Sequence, residues 1–303
     1  MRQHYRLSMQ TVAVVANPTK LDDVEAVRAA LSRTASEHDH RLLWLETSAE
    51  DPGRGQTRQA LEQGAGLVCA LGGDGTVRSV AHGLLGSRAS LGLLPGGTGN
   101  LLALNLGLPT SSLDEAFVAA LEGSDRAVDV GWVRLDAQPE EIFLVMSGMG
   151  LDAETMAGAS EATKARIGWL AYGLSGLRRV ATKGLHVRIT SATGSWRQHA
   201  RSVLVGNCGQ VQGGVMLMPQ AAVDDDQLDL LVFAPHGLLG WTAALWMILT
   251  RRRGGHPSVL HQAGRRFTVV SKRPALVQLD GDAVGECSRM DFRVEPAALR
   301  VRV

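Results

Sequence analysis

The sequence predicts an α/β domain built on a parallel sheet, followed by a β-sandwich. Three observations carry this. Up to about Gly123, strand-like runs alternate with helical spacing, as in a parallel sheet with crossover helices. Two of those strand-like runs end in glycine clusters. Beyond Gly123, short strand-like runs separated by turns dominate, the pattern of a sandwich. The change of texture puts the first domain at residues 1–126 and the second at 127–295.

In the first domain, Thr11–Ala16 (TVAVVA) is a β-branched run broken by Asn17-Pro18. Leu21–His38 has helical spacing, with Leu21, Val24, Val27 and Leu31 on one face. Asp22, Asp23 and Glu25 fall in its first turn, where the helix dipole favours negative charge. Arg41–Glu46 is a strand and Gln56–Gln63 a helix. Leu67–Leu71 is a strand, Val77–Leu85 a helix and Leu91–Leu94 a strand. In the second domain, strands are expected at Ala127–Leu135, Ile142–Ser147, His186–Thr190, Ser202–Gly206, Leu228–Phe233, Phe267–Ser271, Leu276–Asp280, Met290–Val294 and Leu299–Val303. Helical segments lie only near 160–180 and 237–253.

The chain has 303 residues, enough to bury a core without disulfide or metal staples. Lys+Arg is 31 against Asp+Glu 30, a balance that argues against a nucleic-acid binder. Cys69, Cys208 and Cys287 are scattered, with no CxxC, so neither a disulfide framework nor a zinc site is expected. The polar start MRQHYRLSMQ lacks a secretory pattern, which makes cytoplasmic residence the expectation. Gly237–Thr250 is uncharged and closed by Arg251–Arg253, but a helix of that length reaches only about 21 Å of a roughly 30 Å hydrocarbon core.

The glycine clusters are Gly72-Gly73-Asp74-Gly75-Thr76 and Pro95-Gly96-Gly97-Thr98-Gly99-Asn100. Both fall where a parallel α/β sheet binds ligands, beyond the carboxyl ends of strands. Glycine lets backbone N–H groups approach and cradle phosphate, and the following helix adds its N-terminal dipole. Thr76 and Thr98 can donate hydroxyl hydrogen bonds. Asp74 beside a polyanion makes sense if it holds Mg²⁺ or a nucleotide hydroxyl. Tight βα turns would need the same glycines without any ligand. Neither cluster matches the P-loop or the GxGxxG fingerprint.

GGDGT after an apolar strand, with GGTGN about 20 residues later, resembles the diacylglycerol-kinase catalytic-domain family, which includes bacterial lipid kinases and sphingosine kinases and shares GGDGT with NAD kinases. Asn17-Pro18 looks like its N-P-x-S-G loop, with Thr19-Lys20 in place of Ser-Gly. Met218-Pro219-x-Ala221 through Asp224-Asp225-Asp226-x-Leu228-Asp229 resembles P-x-A…D-G-x-L-D, and Asp280-Gly281-Asp282 the late D-G-E. The resemblance implies a nucleotide-binding α/β domain, NAD kinase/diacylglycerol kinase-like, and a β-sandwich lipid-substrate domain, with a last strand near 296–303 returning to the first domain.

It also implies an ATP- and Mg²⁺-dependent kinase acting on a hydroxyl of a diacylglycerol-like or long-chain-base lipid. By the resemblance, Asn17, Pro18, Thr19, Gly72, Gly73, Gly75, Thr76, Gly97, Thr98 and Asn100 form the nucleotide cradle. Asp74 helps hold Mg-ATP, Asp282 is the catalytic base, and Asp225 is a candidate ligand of a structural metal. Glu286 competes with Asp282 for the base role, and a plain β-hairpin turn would also explain Asp-Gly at 280–281. The sequence departs from the family pattern in three further places. Leu101-Leu102-Ala103-Leu104 follow Asn100 without the family's acidic residue and arginine. Asp226 replaces a glycine, and Asp282 replaces a glutamate.

A lipid acceptor implies work at a membrane surface, peripherally at its inner face. Ile167–Leu177, with Trp169, and Gly237–Arg253, with Trp241 and Trp246, are interfacial-helix candidates. Both also suit packing on the sandwich. An NAD kinase and a non-catalytic nucleotide-binding regulator are the competing functions. A homodimer is compatible with the sequence, which does not read out oligomeric state.

Overall fold

The computed structural model describes residues 10–97, 99–150, 184–211, 215–235 and 259–303. They form two compact units, residues 1–127 with 299–303, and residues 128–298.

In the first unit, β1 (Gln10–Ala16), β2 (His40–Glu46), β3 (Leu67–Gly72) and β4 (Ser90–Pro95) pair in parallel in the order β2-β1-β3-β4. The end of the last strand joins at β4 through Val301↔Leu91, also parallel. Val12–Ala16 and Val68–Leu71 are fully buried, as central strands covered on both faces must be. The helices are α1 (Val24–Glu37), α2 (Arg54–Glu62), α3 (Asp74–Leu84), α4 (Leu101–Leu106) and α5 (Leu113–Glu122). Phe117 and Ala120 of α5 and Leu31 of α1 pack with Val12, Val14 and Leu71 in one core cluster.

Asp23 caps α1 rather than lying in its first turn, its Oδ1 accepting from Ala26 N–H at 2.9 Å. α3 begins at Asp74, three residues before the start read from sequence, so the tail of GGDGT is already helical. α4 and α5 occupy a stretch to which pattern alone gives no element.

The second unit contains the rest of β5 (Asp125–Leu135), then β6 (Glu140–Phe143), β7 (Met146–Gly150), β8 (Leu185–Ser191), β9 (Gly194–Ala200), β10 (Ser202–Gly206), β11 (Gln210–Val211), β12 (Val215–Met216), β13 (Leu228–Phe233), β14 (Val259–Gly264), β15 (Arg266–Leu279) and most of β16 (Asp282–Arg302). One run of strands is ordered β14-β13-β10-β7-β15-β16. β15 serves two neighbours. Thr268–Ser271 pairs with β8, and Val277–Leu279 pairs with β7. The exposed Lys272-Arg273-Pro274 lie at the register break between those halves, where the strand turns a corner of the sandwich. Met149, Val203, Val205, Leu230, Val269, Val277 and Phe292 fill the core.

Five strand readings change. Ile142–Ser147 is two strands, because backbone N–H groups of residues 144–146 bond to Asp280 instead of to a ladder. Phe267–Ser271 and Leu276–Asp280 are two halves of β15. Met290–Val294 and Leu299–Val303 belong to the single β16. β9 and β14 have no counterpart in the sequence reading, since their burial is mixed and their apolar content low. The segments 167–177 and 237–253 lie outside the described residues, as does Thr98. Among the described residues no helix is long and apolar enough to cross a membrane.

Candidate active site

Three loops leave the carboxyl ends of the adjacent strands β1, β3 and β4. After β1, Asn17 donates its backbone N–H to Leu71 O at 2.8 Å, tying this loop to the end of β3. Its Oδ1 accepts from Thr19 N–H at 3.1 Å and Thr19 Oγ1–H at 2.8 Å, capping a single 3₁₀ turn that Pro18 begins. The Asn-Pro-Thr triplet is thus a local cap. Its departure from Ser-Gly leaves the turn intact.

After β3, Gly73 is the N-cap of α3. After β4, Gly96 and Gly97 run against the first loop. A Cβ on Gly96 would stand 2.7 Å from Gly72 N, and one on Gly97 would stand 3.3 Å from Gly73 Cα. A Cβ on Gly99 would collide with Asp74 Oδ2, and one on Gly72 would lie 2.6 Å from Thr76 Oγ1. A side chain at Gly72, Gly96 or Gly99 would press on Thr76, on the Gly72 backbone or on Asp74 respectively, so close packing within the loops accounts for these three glycines, the tight-turn explanation.

Gly73 is different. Its φ of −86° suits any residue, and a Cβ there would meet nothing within 4 Å among the described residues. Nothing among the described residues requires glycine at that position, which lies at the N-terminus of an 11-residue helix.

Asp74 Oδ1 accepts from Leu101 N–H at 2.7 Å, so its carboxylate braces the start of α4. Asn100, at φ 48°, turns into that helix and donates from Nδ2 to Gly97 O at 3.1 Å. Thr76 is 5% exposed and its side chain lies against Gly72, turned in beneath the loop. Gly75 lies in the first turn of α3. The structure thus brings together Asn17, Gly72, Gly73, Asp74, Thr76, Gly97 and Asn100 at one end of the parallel sheet.

In the second unit, β15 and β16 are joined by the two-residue turn Asp280-Gly281, with φ 47° and 93°, and Leu279 pairs with Asp282. This is the hairpin geometry that Asp-Gly favours. Asp282 opens β16 and is exposed, as is Glu286. Asp280 is 3% exposed. Its Oδ2 accepts from Leu144 N–H at 3.0 Å, and its Oδ1 accepts from Val145 and Met146 N–H at 2.8 and 3.1 Å. Its own N–H donates to Met146 O at 2.8 Å, and Gly281 N–H donates to Gln278 Oε1 at 2.8 Å.

Asp129, absent from the sequence-derived site, does comparable work. Its buried carboxylate accepts from Asp226 N–H at 2.7 Å and Ala297 N–H at 2.8 Å, fixing two residues at φ 62° and 49°. These partners lie 97 and 168 residues away, so no local pattern signals the role.

In the acidic turn, Asp225 Oδ1 accepts from Gln227 N–H at 3.0 Å. Asp226 Oδ2 pairs with Arg265 at 2.7 Å, and Asp229 Oδ1 with His261 at 2.6 Å. Burial, with Asp229, Asp129 and Asp224 nearby, holds the Asp225 carboxyl above the usual range. Among the described residues no three His, Cys, Asp or Glu side chains converge as metal ligands. With Asp226 and Asp229 already paired, Asp225 has no cage of protein ligands around it among the described residues.

Two family descriptions match. The diacylglycerol kinase catalytic domain covers residues 11–133, and the YegS C-terminal NAD kinase beta sandwich-like domain covers residues 145–303. A Pseudomonas aeruginosa protein named "Probable lipid kinase YegS-like" is 32% identical over 287 residues, covering 93% of this chain and 90% of the relative. A protein of that name from Cronobacter sakazakii is 32% identical over 252 residues, covering 81% and 80%. The solved diacylglycerol kinase structure from Bacillus anthracis superposes with TM-score 0.74 at 18% identity, over 97% of this chain and 96% of that one. Another chain from that organism reaches 0.80 at 22% identity, over 100% and 98%.

Proposed function

We infer that this chain, which belongs to the diacylglycerol kinase catalytic-domain family and carries the YegS-type C-terminal sandwich, transfers the γ-phosphoryl group of ATP to a hydroxyl of a diacylglycerol-like or long-chain-base lipid. The family makes it a lipid kinase. The nucleotide, the cation, the acceptor and the residue roles are our reading.

Gly73 is the observation that carries the nucleotide site. The surrounding packing explains the other loop glycines that would clash, whereas among the described residues nothing crowds Gly73 at the head of α3, where the backbone is unstrained. Close approach of a phosphate to its N–H explains a glycine that the fold does not need. Asn17-Pro18-Thr19 and, after β4, Gly97 and Asn100 lie on the neighbouring loops, and Asp74 ties the loop after β3 to the start of α4. Thr76 supports Gly72 from beneath, a narrower role than direct hydroxyl donation.

Mg²⁺, when bound, neutralises phosphate charge. The few protein carboxylates available fit a cation that arrives with ATP and keeps phosphate and water ligands, as Mg²⁺ prefers. Asp225 is the candidate for a second cation only with water and backbone oxygens completing its shell.

Asp282 is assigned as the base that accepts the proton of the attacking lipid hydroxyl. Such an acceptor resides in a bilayer, so the enzyme works peripherally at an inner membrane surface. The NAD-kinase alternative is not favoured, since the relatives are named "Probable lipid kinase YegS-like". ATP turnover against a panel of diacylglycerol and long-chain bases, with NAD as a further acceptor, tests the reading. Phosphorylated lipid supports it. NADP formation, or nucleotide binding without turnover, contradicts it.

A further inference from the structure

We propose that Asp280 is a positioning residue for phosphoryl transfer. It fixes the turn carrying Asp282 to the segment Leu144–Met146 in the geometry that turnover needs. The proposal rests on the assignment of Asp282 as base.

The case begins with an imbalance of donors. Leu144, Val145 and Met146 offer three consecutive backbone N–H groups at a break between β6 and β7, where no strand accepts them all. A single buried carboxylate collects all three, and its residue adds a fourth bond from its own N–H to Met146 O. A cradle of successive amides around a carboxylate is an anion nest filled by the protein itself. Asn207 holds the same segment from the other side. Its Nδ2–H donates to Leu144 O at 3.2 Å and its backbone N–H to Val145 O at 2.8 Å.

A plain Asp-Gly hairpin needs none of this. Turn geometry asks only for tolerance of positive φ at residues 280 and 281, which Asn or Gly supplies equally well. The carboxylate is surplus to the turn, and its bonds tie the turn to Leu144–Met146 two residues before Asp282. A catalytic base loses efficiency steeply when displaced, on the order of a hundredfold per ångström.

Asp280→Asn and Asp280→Gly test this, because both accept the left-handed backbone while weakening or removing the clamp. Asn keeps one acceptor oxygen and turns an NH₂ toward a donor. The full-length variants are assayed with ATP and diacylglycerol in mixed micelles, alongside amide hydrogen exchange and circular dichroism. The expected result is a fall in kcat of about tenfold to a hundredfold, a KM for ATP within about twofold of wild type, and loss of protection at residues 144–146 but not at Leu67–Leu71. Unchanged kcat, or a kcat loss equal to the unfolded fraction, overturns the proposal. Asp282→Asn run in parallel keeps the two readings apart. Wild-type turnover there removes the base assignment, while the Asp280 variants report on the clamp through their own exchange pattern and kcat.

Discussion

Asp282 and Glu286 stand on opposite faces of the β15–β16 hairpin. Asp282 pairs with Leu279 and Glu286 with Leu276, and cross-strand partners share a face. Leu279 belongs to the sandwich core, whereas Leu276 does not. Residues four apart in a regular strand would share a face. Here Val277 pairs with Gly285 and Gln278 with Ala283, which leaves Val284 as a bulged extra residue that inverts the alternation. A centre on one face of the hairpin therefore meets one of the two carboxylates. With Asp282 as base, Asp282→Asn should lower kcat by about 10²–10⁴, and Glu286→Gln should leave it within about threefold. Steady-state kinetics of the two variants checks this, and the reverse pattern would move the base to Glu286.

Gly73 and Gly96 should respond differently to the same methyl group. Gly73→Ala meets no atom of the described residues and keeps an allowed φ, so its unfolding free energy should stay within about 0.5 kcal/mol of wild type. Its ATP affinity should drop at least about tenfold if a phosphate approaches that N–H. Gly96→Ala presses on the backbone of Gly72 and should cost about 1–3 kcal/mol of stability. Denaturant titration and nucleotide-binding calorimetry separate the effects.

Ser147 carries a hydroxyl that is fully buried on β7 and has no hydrogen-bond partner among the described residues. A buried polar group without a partner retains its desolvation cost. Ser147→Ala should therefore raise stability by about 1 kcal/mol, read as a higher midpoint in urea. A lower midpoint would mean that the hydroxyl is bonded in solution.

His82 on α3 is half-buried, and burial first, then Arg54 and Arg58, hold its imidazole down at about 4 from an ordinary 6.5. The unfolded chain binds the proton first as pH falls. Its contribution to stability is therefore present above 6.5 and declines as pH drops through 6.5 toward about 4. Thermal midpoints measured over that window should fall less in His82→Gln than in wild type.

Local signals made the first unit legible. Buried parallel strands are continuous apolar runs, and glycine clusters mark their ends. What escaped the sequence depends on distant partners. The split of Ile142–Ser147 needs Asp280, more than 130 residues away, to claim its amides. The merging of Met290–Val294 and Leu299–Val303 into β16 passes Ala297, whose positive φ is held by Asp129. In the site, the glycines were visible but their reasons were not. Only placing a Cβ at each separates Gly96, needed for packing, from Gly73, which packing leaves unexplained. Asp74 was read as a ligand-facing carboxylate, yet its Oδ1 is engaged by Leu101 N–H, a bond that spacing cannot reveal.

The most direct test is transfer of label from γ-³²P-ATP to an extracted lipid mixture by the purified full-length protein, resolved by thin-layer chromatography with Asp282→Asn in parallel. The predicted result is a labelled lipid of diacylglycerol or long-chain-base type that disappears with Asp282→Asn. Label that remains in ATP, or that moves to NAD instead of lipid, would contradict it.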